Sequence, residues 1–566
     1  MRLAVALPVI GTTALALAVA WRKLQDAPLS VDYEQKLQVL LKRYKEQLLA
    51  SPKRLAEVEA EFIAQMREGL ASRTTVDGRR MMMLPTFVTR LPDGTETGEC
   101  YALDLGGTNF RVMYVRLGPG RGEMAACDVE EVTLPREIYT GPGDKLFDFL
   151  ASTLKSFIDR HQASASTSQP GDSSSSETAV TASASASSAP QRPLPVVGFC
   201  FSFAVEQSGL ASGKLLGWTK GFSCPGVVGN DPVALLAAAL FRAGRPCRVA
   251  ALLNDTVGVL AAQRYLDSDT EVGVIIGTGT NACYVEQLTA LTKWTAPPGA
   301  AAGGDGRTAV NMEWGAFFSP QLPRCMEDLQ VDASSPHPGK YLFEKLLSGM
   351  FLGEAARRIL FTVAKEIPGL LAASPAATAA AAAAAAAEDE AAVGEEAAAV
   401  AAGIPGRLAT PGSLGSAALS AIVEDRTWGL RTTRKLLASE LGVHAPSRRA
   451  AEVAKEVCTL VARRSAQLTA MALLAILRHN GWAKAVPPRP VTVAFDGGVY
   501  ERFGAYRTML SEEVSEQLGE AAAELRPYIR FVLSHDGSAL GAAVLAAAAV
   551  TGEEAAAAAK AAANTA

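Results

Sequence analysis

Two periods of apolar residues alternate along this chain, and the switches between them mark its elements. Over residues 31–49 apolar positions recur at Leu37, Leu40, Leu41 and Leu48, the spacing of one helix face. Ser51-Pro52, a capping hydroxyl before a first-turn proline, predicts a second helix that stops near Gly69. From Cys100 the period shortens, and 101–105 and 110–117 read as strands on either side of Gly106-Gly107. Beyond them the pattern predicts a helix over 145–160, a strand over 194–202, a helix over 232–243 and a strand over 248–253. A helix over 256–264 and a strand over 272–277 follow. Nearer the end come helices near 424–441 and 447–480, a strand at 491–495 and a closing helix at 538–549. Alternating strands and helices imply α/β layers.

Several stretches lack any such period. Residues 162–190, rich in Ser, Ala and Thr, read as a disordered surface insertion. Residues 295–307 form a small-residue loop, and 372–406 is of low complexity, with nine consecutive alanines from Ala379. Alanine favours helix, so that tract is expected to be partly helical with nothing to bury. The residues after 549 read as a frayed tail. At the other end, residues 3–21 carry no charge, with Arg2 before them and Arg22-Lys23 after. At about 1.5 Å per residue that run just spans a hydrocarbon core. It reads as a retained N-terminal anchor, the alternative being a cleaved secretory or plastid targeting segment.

Composition narrows the function. With 566 residues the chain is too long for one ordinary core and suits two lobes with insertions. Charged residues make up 20% and the net charge is −4, so no basic field points to nucleic acid. None of the eight cysteines forms a CxxC pair, which suggests free buried thiols in a reducing compartment. The five histidines show no i, i+4 pairing, so a metal site built from protein ligands alone is not expected.

The chemistry lies at strand ends. Asp104-Leu105-Gly106-Gly107-Thr108-Asn109 joins two strands, and its glycines let backbone N–H groups approach a phosphate, with Thr108 and Asn109 as neutral donors. Asp104 there could orient Mg²⁺ through its waters. The same segment alone is equally a hairpin turn, and it contains no Walker loop. Asn254-Asp255-Thr256 closes a strand and opens a helix, a placement that suits a catalytic acid and equally a helix cap. Gly277-Thr278-Gly279-Thr280-Asn281 forms a second cradle, and Asp496-Gly497-Gly498 and Asp536-Gly537-Ser538 repeat the strand, acid, glycine pattern. Ser202, Thr219, Lys220 and Glu313 are polar groups suited to a sugar, whose unmet hydroxyl partners would cost about 1–3 kcal/mol each.

Taken in order, these segments resemble the eukaryotic hexokinase family, of the single-unit kind of roughly 50 kDa found in fungi and plants. The resemblance rests on residues 104–111 (DLGGTNFR), on 198–202 with Trp218-Thr219-Lys220-Gly221-Phe222, on Leu253-Asn254-Asp255-Thr256, and on 277–284. It also rests on Asn311-Met312-Glu313-Trp314-Gly315 and on Phe343-Glu344-Lys345 with Ser348-Gly349-Met350. It covers about 31–549 and implies an α/β, two-lobed actin-like ATPase (ribonuclease H-like) fold, with small and large domains around a cleft. The implied layout is an anchor at 1–23, N-terminal helices at 28–96 packing on the large domain, a small domain at 97–254 and a large domain at 255–537. The helix at 538–549 returns to the small domain, and 550–566 is the tail.

The implied activity is transfer of the γ-phosphoryl of Mg·ATP to the 6-hydroxyl of D-glucose and related hexoses, with Asp255 as general base and Arg111 beside it. The alternative is a catalytically weak glucose sensor. Ser202, Thr219, Lys220, Asn254, Asp255, Asn281, Glu313 and Glu344 would bind the hexose. Asp104, Leu105, Gly106, Gly107, Thr108, Asn109, Thr278, Gly349, Met350, Asp496, Gly497 and Gly498 would hold ATP, with Mg²⁺ held by ATP and water and Asp104 nearby. The resemblance further implies a cytosol-facing monomer anchored to the mitochondrial outer membrane through 3–21, with plastid or soluble cytosol as alternatives. Two departures stand out. Ala204 replaces the family's proline after Phe201-Ser202-Phe203, which is expected to loosen that loop, and Ala539 replaces a glycine, which is expected to alter the adenosine-side turn.

Overall fold

The computed structural model describes residues 30–72, 77–107, 109–167, 193–294, 305–385 and 399–565. Two mixed sheets carry the fold, and they share one strand order. In the smaller lobe the order is Met124–Thr133, Asn109–Leu117, Gly98–Leu105, Val196–Phe201, Arg248–Leu253. The first three strands are antiparallel neighbours and the last two run parallel to Gly98–Leu105. In the larger lobe Arg307–Asn311, Thr280–Gln287, Thr270–Ile276, Val491–Asp496 and Ile529–Leu533 repeat that arrangement, with Leu84–Pro85 added at the edge. The turn at Gly106-Gly107 and the turn at 277–279 therefore hold equivalent places, each joining the second and third strands of the order given for its lobe. This is the two-lobed actin-like architecture.

Between the sheets lie two helices, Asp255–Leu266 and Gly537–Thr565. They share a core with both: Ala102, Cys200 and Leu253 from one sheet, Cys283, Val285 and Ala309 from the other. Small side chains let the helices cross closely. A Cβ on Gly541 would sit 1.9 Å from the Gly258 carbonyl oxygen, and one on Gly198 would sit 2.0 Å from that of Ala542.

The large-lobe core collects the N-terminal helices Val31–Leu48 and Pro52–Ala71 around the long helix Arg448–His479. The Ser30 and Ser51 hydroxyls accept from the Tyr33 and Arg54 backbone N–H groups, as caps should. Arg448–His479 is long and apolar enough to cross a bilayer, yet nearly all of its most apolar stretch is enclosed by this core.

Several expectations change. The helix Gly143–Thr167 runs on past 160 into the segment expected to be disordered, whose remainder, 168–192, lies outside the described residues. Around the alanine tract Pro375–Ala385 is helical, and Ala373, Ala399 and Ile404 are buried, so its flanks do pack; 386–398 lie outside the described residues. The loop 295–304 also lies outside them, and Arg307 already begins a strand. The closing helix continues to Thr565 instead of stopping at 549. Of the helix expected near 424–441 only Arg431–Ser439 is helical, opening where Gly429 and Leu430 take positive φ, and a separate helix, Ser416–Val423, ends just before that span. Cys127 is exposed and Cys247 half-buried, unlike the other six free thiols. The anchor assigned to 3–21 falls outside the described residues.

Candidate active site

Asn254 ends the strand Arg248–Leu253, and its side chain caps the next helix by accepting from the Thr256 N–H at 3.0 Å and its hydroxyl at 2.8 Å. Asp255 is thus fixed as the first helical residue, with its side chain largely buried. Both readings of this segment hold at once: the cap is Asn254, and it presents Asp255. Lys220 enters from the small lobe with φ of 54°. Its Nζ donates to the carbonyls of Gly106 at 2.9 Å and Ser202 at 3.1 Å, and it stands 3.7 Å from Asp255 Oδ2. One ammonium thus ties the first glycine turn, the Ser202 strand end and the acid together.

On the large-lobe side three side chains form a chain of amides and acid. Asn281 Nδ2 donates to Asn254 Oδ1 at 3.2 Å and to Asn311 Oδ1 at 2.8 Å, and Asn311 Nδ2 donates to Glu313 Oε1 at 2.8 Å. Glu313 has φ of 54°. Burial lifts its carboxyl to about 7, against the Asn311 hydrogen bond, with Asp255 adding repulsion. Glu344 accepts from the Thr280 N–H at 3.2 Å, and burial raises its carboxyl too. Ser202 is buried, and its hydroxyl has no hydrogen-bond partner among the described residues. Thr219 is half-buried beside it, with its carbonyl taken by the Phe222 N–H. Acids, amides and a free hydroxyl converging from both lobes suit a molecule covered in hydroxyl groups.

The glycine turns flank this cluster. Gly107 has open space where a Cβ would be, so its backbone can be approached closely. The second turn packs on the other nucleotide-side segments: Gly349 N–H donates to Gly277 O at 2.8 Å, Met350 N–H to Thr278 O at 3.2 Å, and a Cβ on Gly277 would meet Gly497 Cα at 3.4 Å. Thr278, Gly349, Met350, Asp496, Gly497 and Gly498 therefore share one region. Arg111 lies 3.8 Å from Asp104 and 3.3 Å from Asp536. Burial pushes Asp496 up to about 6, opposed by the Gly497 N–H and by Arg111. Asp104 is raised by burial, and its buried Oδ1 has no partner among the described residues. That unpaired acceptor, beside Arg111 and open glycine backbone, fits a hydrated Mg²⁺ on a polyphosphate.

Not every expected residue plays the expected part. Leu105 points its side chain into the small-lobe core and its carbonyl accepts from Ser202 N–H, so neither of these groups is turned to phosphate. Asn109 gives its amide to Glu131 Oε1 at 2.7 Å. Thr108 lies outside the described residues. The Ala539 concern dissolves: Ala539 sits inside the helix Gly537–Thr565, and the positive φ falls on Asp536, at 51°. At Ala204 the loop is braced by rings, with Phe203 packed edge-on to Trp218 at 4.8 Å and to Phe222 at 5.0 Å. Asn311 was missed as a site residue, because an asparagine in a short strand carries no periodic signal, although it lay within a segment already singled out.

Hexokinase family profiles match residues 40–265 and 271–548. Hexokinase-1 of Nicotiana tabacum is 36% identical over 511 residues, 90% of each chain. Hexokinase-4, chloroplastic, of Oryza sativa subsp. japonica is 38% identical over 497 residues, 87% of this chain and 85% of the other. A hexokinase from Schistosoma mansoni complexed with glucose matches the fold with a TM-score of 0.69 at 28% identity, covering 91% of this chain and 99% of that one. Fold and site together define a two-lobed sugar kinase that uses Mg·ATP. The chain belongs to the hexokinase family and is an ATP-dependent hexokinase.

Proposed function

We propose that Asp255 is the general base for phosphorylation of the 6-hydroxyl of D-glucose, and of mannose and fructose as related acceptors. The observation that carries this reading is the convergence of Asp255, Lys220, Asn254, Asn281, Asn311 and Glu313 at one point between the lobes. Ser202, Thr219, Lys220, Asn254, Asn281, Glu313 and Glu344 hold the hexose hydroxyls, and Asp255 takes the 6-hydroxyl proton as the new O–P bond forms. Mg·ATP supplies the phosphoryl group and a metal charge that offsets the build-up on its oxygens. The backbones of Gly106, Gly107, Thr278, Gly349, Met350, Gly497 and Gly498 cradle the nucleotide. Arg111 steadies the phosphates, and Asp104 and Asp496 face the metal's water shell. Phosphoryl transfer needs mainly positioning and charge stabilisation, which this arrangement offers.

The layout that goes with these roles is a small domain at 97–254 and a large domain at 255–537, in one catalytic unit that works as a monomer. Residues 3–21 attach it to the mitochondrial outer membrane with the catalytic lobes in the cytosol. The convergence of these acids and amides argues against a weakly active glucose sensor. A coupled assay of purified protein with Mg·ATP and glucose, mannose or fructose tests the activity, and absence of turnover on all three overturns it. A fluorescent reporter fused behind residues 1–23 tests the anchor: rings around mitochondria are expected, and diffuse or plastid-internal signal rejects it.

A further inference from the structure

One face of the strand Gly98–Leu105 is built of small residues, Cys100 and Ala102, packed on the helix Gly537–Thr565. Side chains alternate along a strand, so Asp104 occupies the next place on that same face. Its carboxylate therefore meets the first turn of the helix, where the buried Ser538 Oγ donates to Oδ2 at 2.8 Å. Cys200 is paired with Asp104 in register on the neighbouring parallel strand, and it shares the core face of Cys100 and Ala102, which places its thiol beside the same carboxylate. The other charges facing Asp104 are Arg111, 3.8 Å away, and the acids Asp255 and Asp496. Among the described residues Oδ1 has no hydrogen-bond partner, and it is buried.

We propose that Ser538 and Cys200 are positioning residues for Asp104, holding one edge of its carboxylate so that Oδ1 stays turned toward the hydrated Mg²⁺ of the nucleotide. The inference rests on the placement of Asp104 at the metal's water shell. Ser538 also ties this acid to the base. A Cβ on Gly258 would lie 2.5 Å from the Ser538 carbonyl oxygen, and Gly258 belongs to the helix that Asp255 opens. The nucleotide-side acid and the sugar-side base are thus referenced to one helix crossing.

The test uses the full chain. Calorimetric titration with the β,γ-imido analogue of ATP, with and without Mg²⁺, gives the gain in affinity that the metal brings. Ser538→Ala should cut that gain about tenfold, the scale of one hydrogen bond to a charged group. The KM for Mg·ATP should rise in step, while glucose affinity read from tryptophan fluorescence stays unchanged. Ser538→Thr, which keeps the hydroxyl, should restore the gain. Cys200→Ala should act in the same direction and Cys200→Ser should not, and this pair carries the comparison if Ser538→Ala does not fold. An unchanged Mg²⁺ gain in both alanine variants overturns the proposal, as does a fall in glucose and analogue affinity together. Asp104→Asn separates the two levels. If it too leaves the gain intact, the placement of Asp104 is wrong; if it alone abolishes the gain, only the positioning role fails.

Discussion

Lys220 Nζ stands 3.7 Å from Asp255 Oδ2 while donating to the carbonyls of Gly106 and Ser202. A base so placed serves turnover more than sugar affinity, because the remaining acids and amides are arranged without it. Asp255→Ala should lower kcat by about 10²–10⁴-fold, the range general bases supply, with glucose binding within a few-fold of wild type. Stopped assays of kcat beside fluorescence titration of glucose check this. A variant that keeps near-normal turnover would leave Asp255 as a helix residue and no more.

The contact between Gly258 and Gly541 gives a prediction opposite in sign to the usual rule. In an ordinary helix, glycine to alanine stabilises by about 1 kcal/mol. Here the new methyl of Gly541→Ala would fall 1.9 Å from the Gly258 carbonyl oxygen, a backbone atom that cannot swing aside. The variant should melt several degrees lower or fail to accumulate as soluble protein. A melting curve equal to or above wild type would mean that the helices have room to part.

How far the sequence disclosed this arrangement depends on what each residue's signal was made of. Helices whose apolar stripe faces the core, such as Val31–Leu48, and strands that are apolar after their first residue, such as Arg248–Leu253, were legible because burial imposes their pattern. Met124–Thr133 was not, since it is a largely exposed edge strand held by its neighbour's backbone. Thr280–Gln287 and Arg307–Asn311 carry polar site residues at their ends, and function obscured the strand pattern there. The site's members were legible as motifs, but their connections were not. Nothing local ties Ser538 to Asp104, 434 positions away. The worry over Ala539 arose from placing the left-handed residue three positions too late: it is Asp536.

Asn311 is the bridge between Asn281 and Glu313, accepting from one at 2.8 Å and donating to the other at 2.8 Å. Asn311→Ala leaves the Asn281 amide and the Glu313 carboxylate short of partners inside the site. Groups stranded in this way cost about 1–3 kcal/mol, so the KM for glucose should rise roughly tenfold or more. The KM for Mg·ATP should move little, since Asn311 faces no nucleotide-side segment. Equal changes in both constants would make the residue a general support of the large-lobe sheet.

Glu313 couples sugar binding to pH in a direction that can be worked out. Its carboxyl titrates near 7 in the folded chain, because burial disfavours the charge, against 4.5 for an ordinary glutamate. The folded state therefore holds that proton more tightly than the unfolded state does, and its contribution to stability falls as pH rises from 4.5 to 7 and stays low beyond. Glu313→Gln removes the buried charge and should stabilise the sugar-free protein by on the order of 1–3 kcal/mol at pH 8, with little effect near pH 4. Sugar binding runs the other way. Hexose hydroxyls donate to the ionised carboxylate, so the wild-type KM for glucose should rise as pH falls below about 7, the point where Glu313 takes its proton. The glutamine variant should bind glucose weakly at every pH and lack that limb. Melting curves and glucose titrations from pH 5 to 8 read both effects. A stability difference between the two proteins that does not grow with pH would show that Glu313 is ionised throughout.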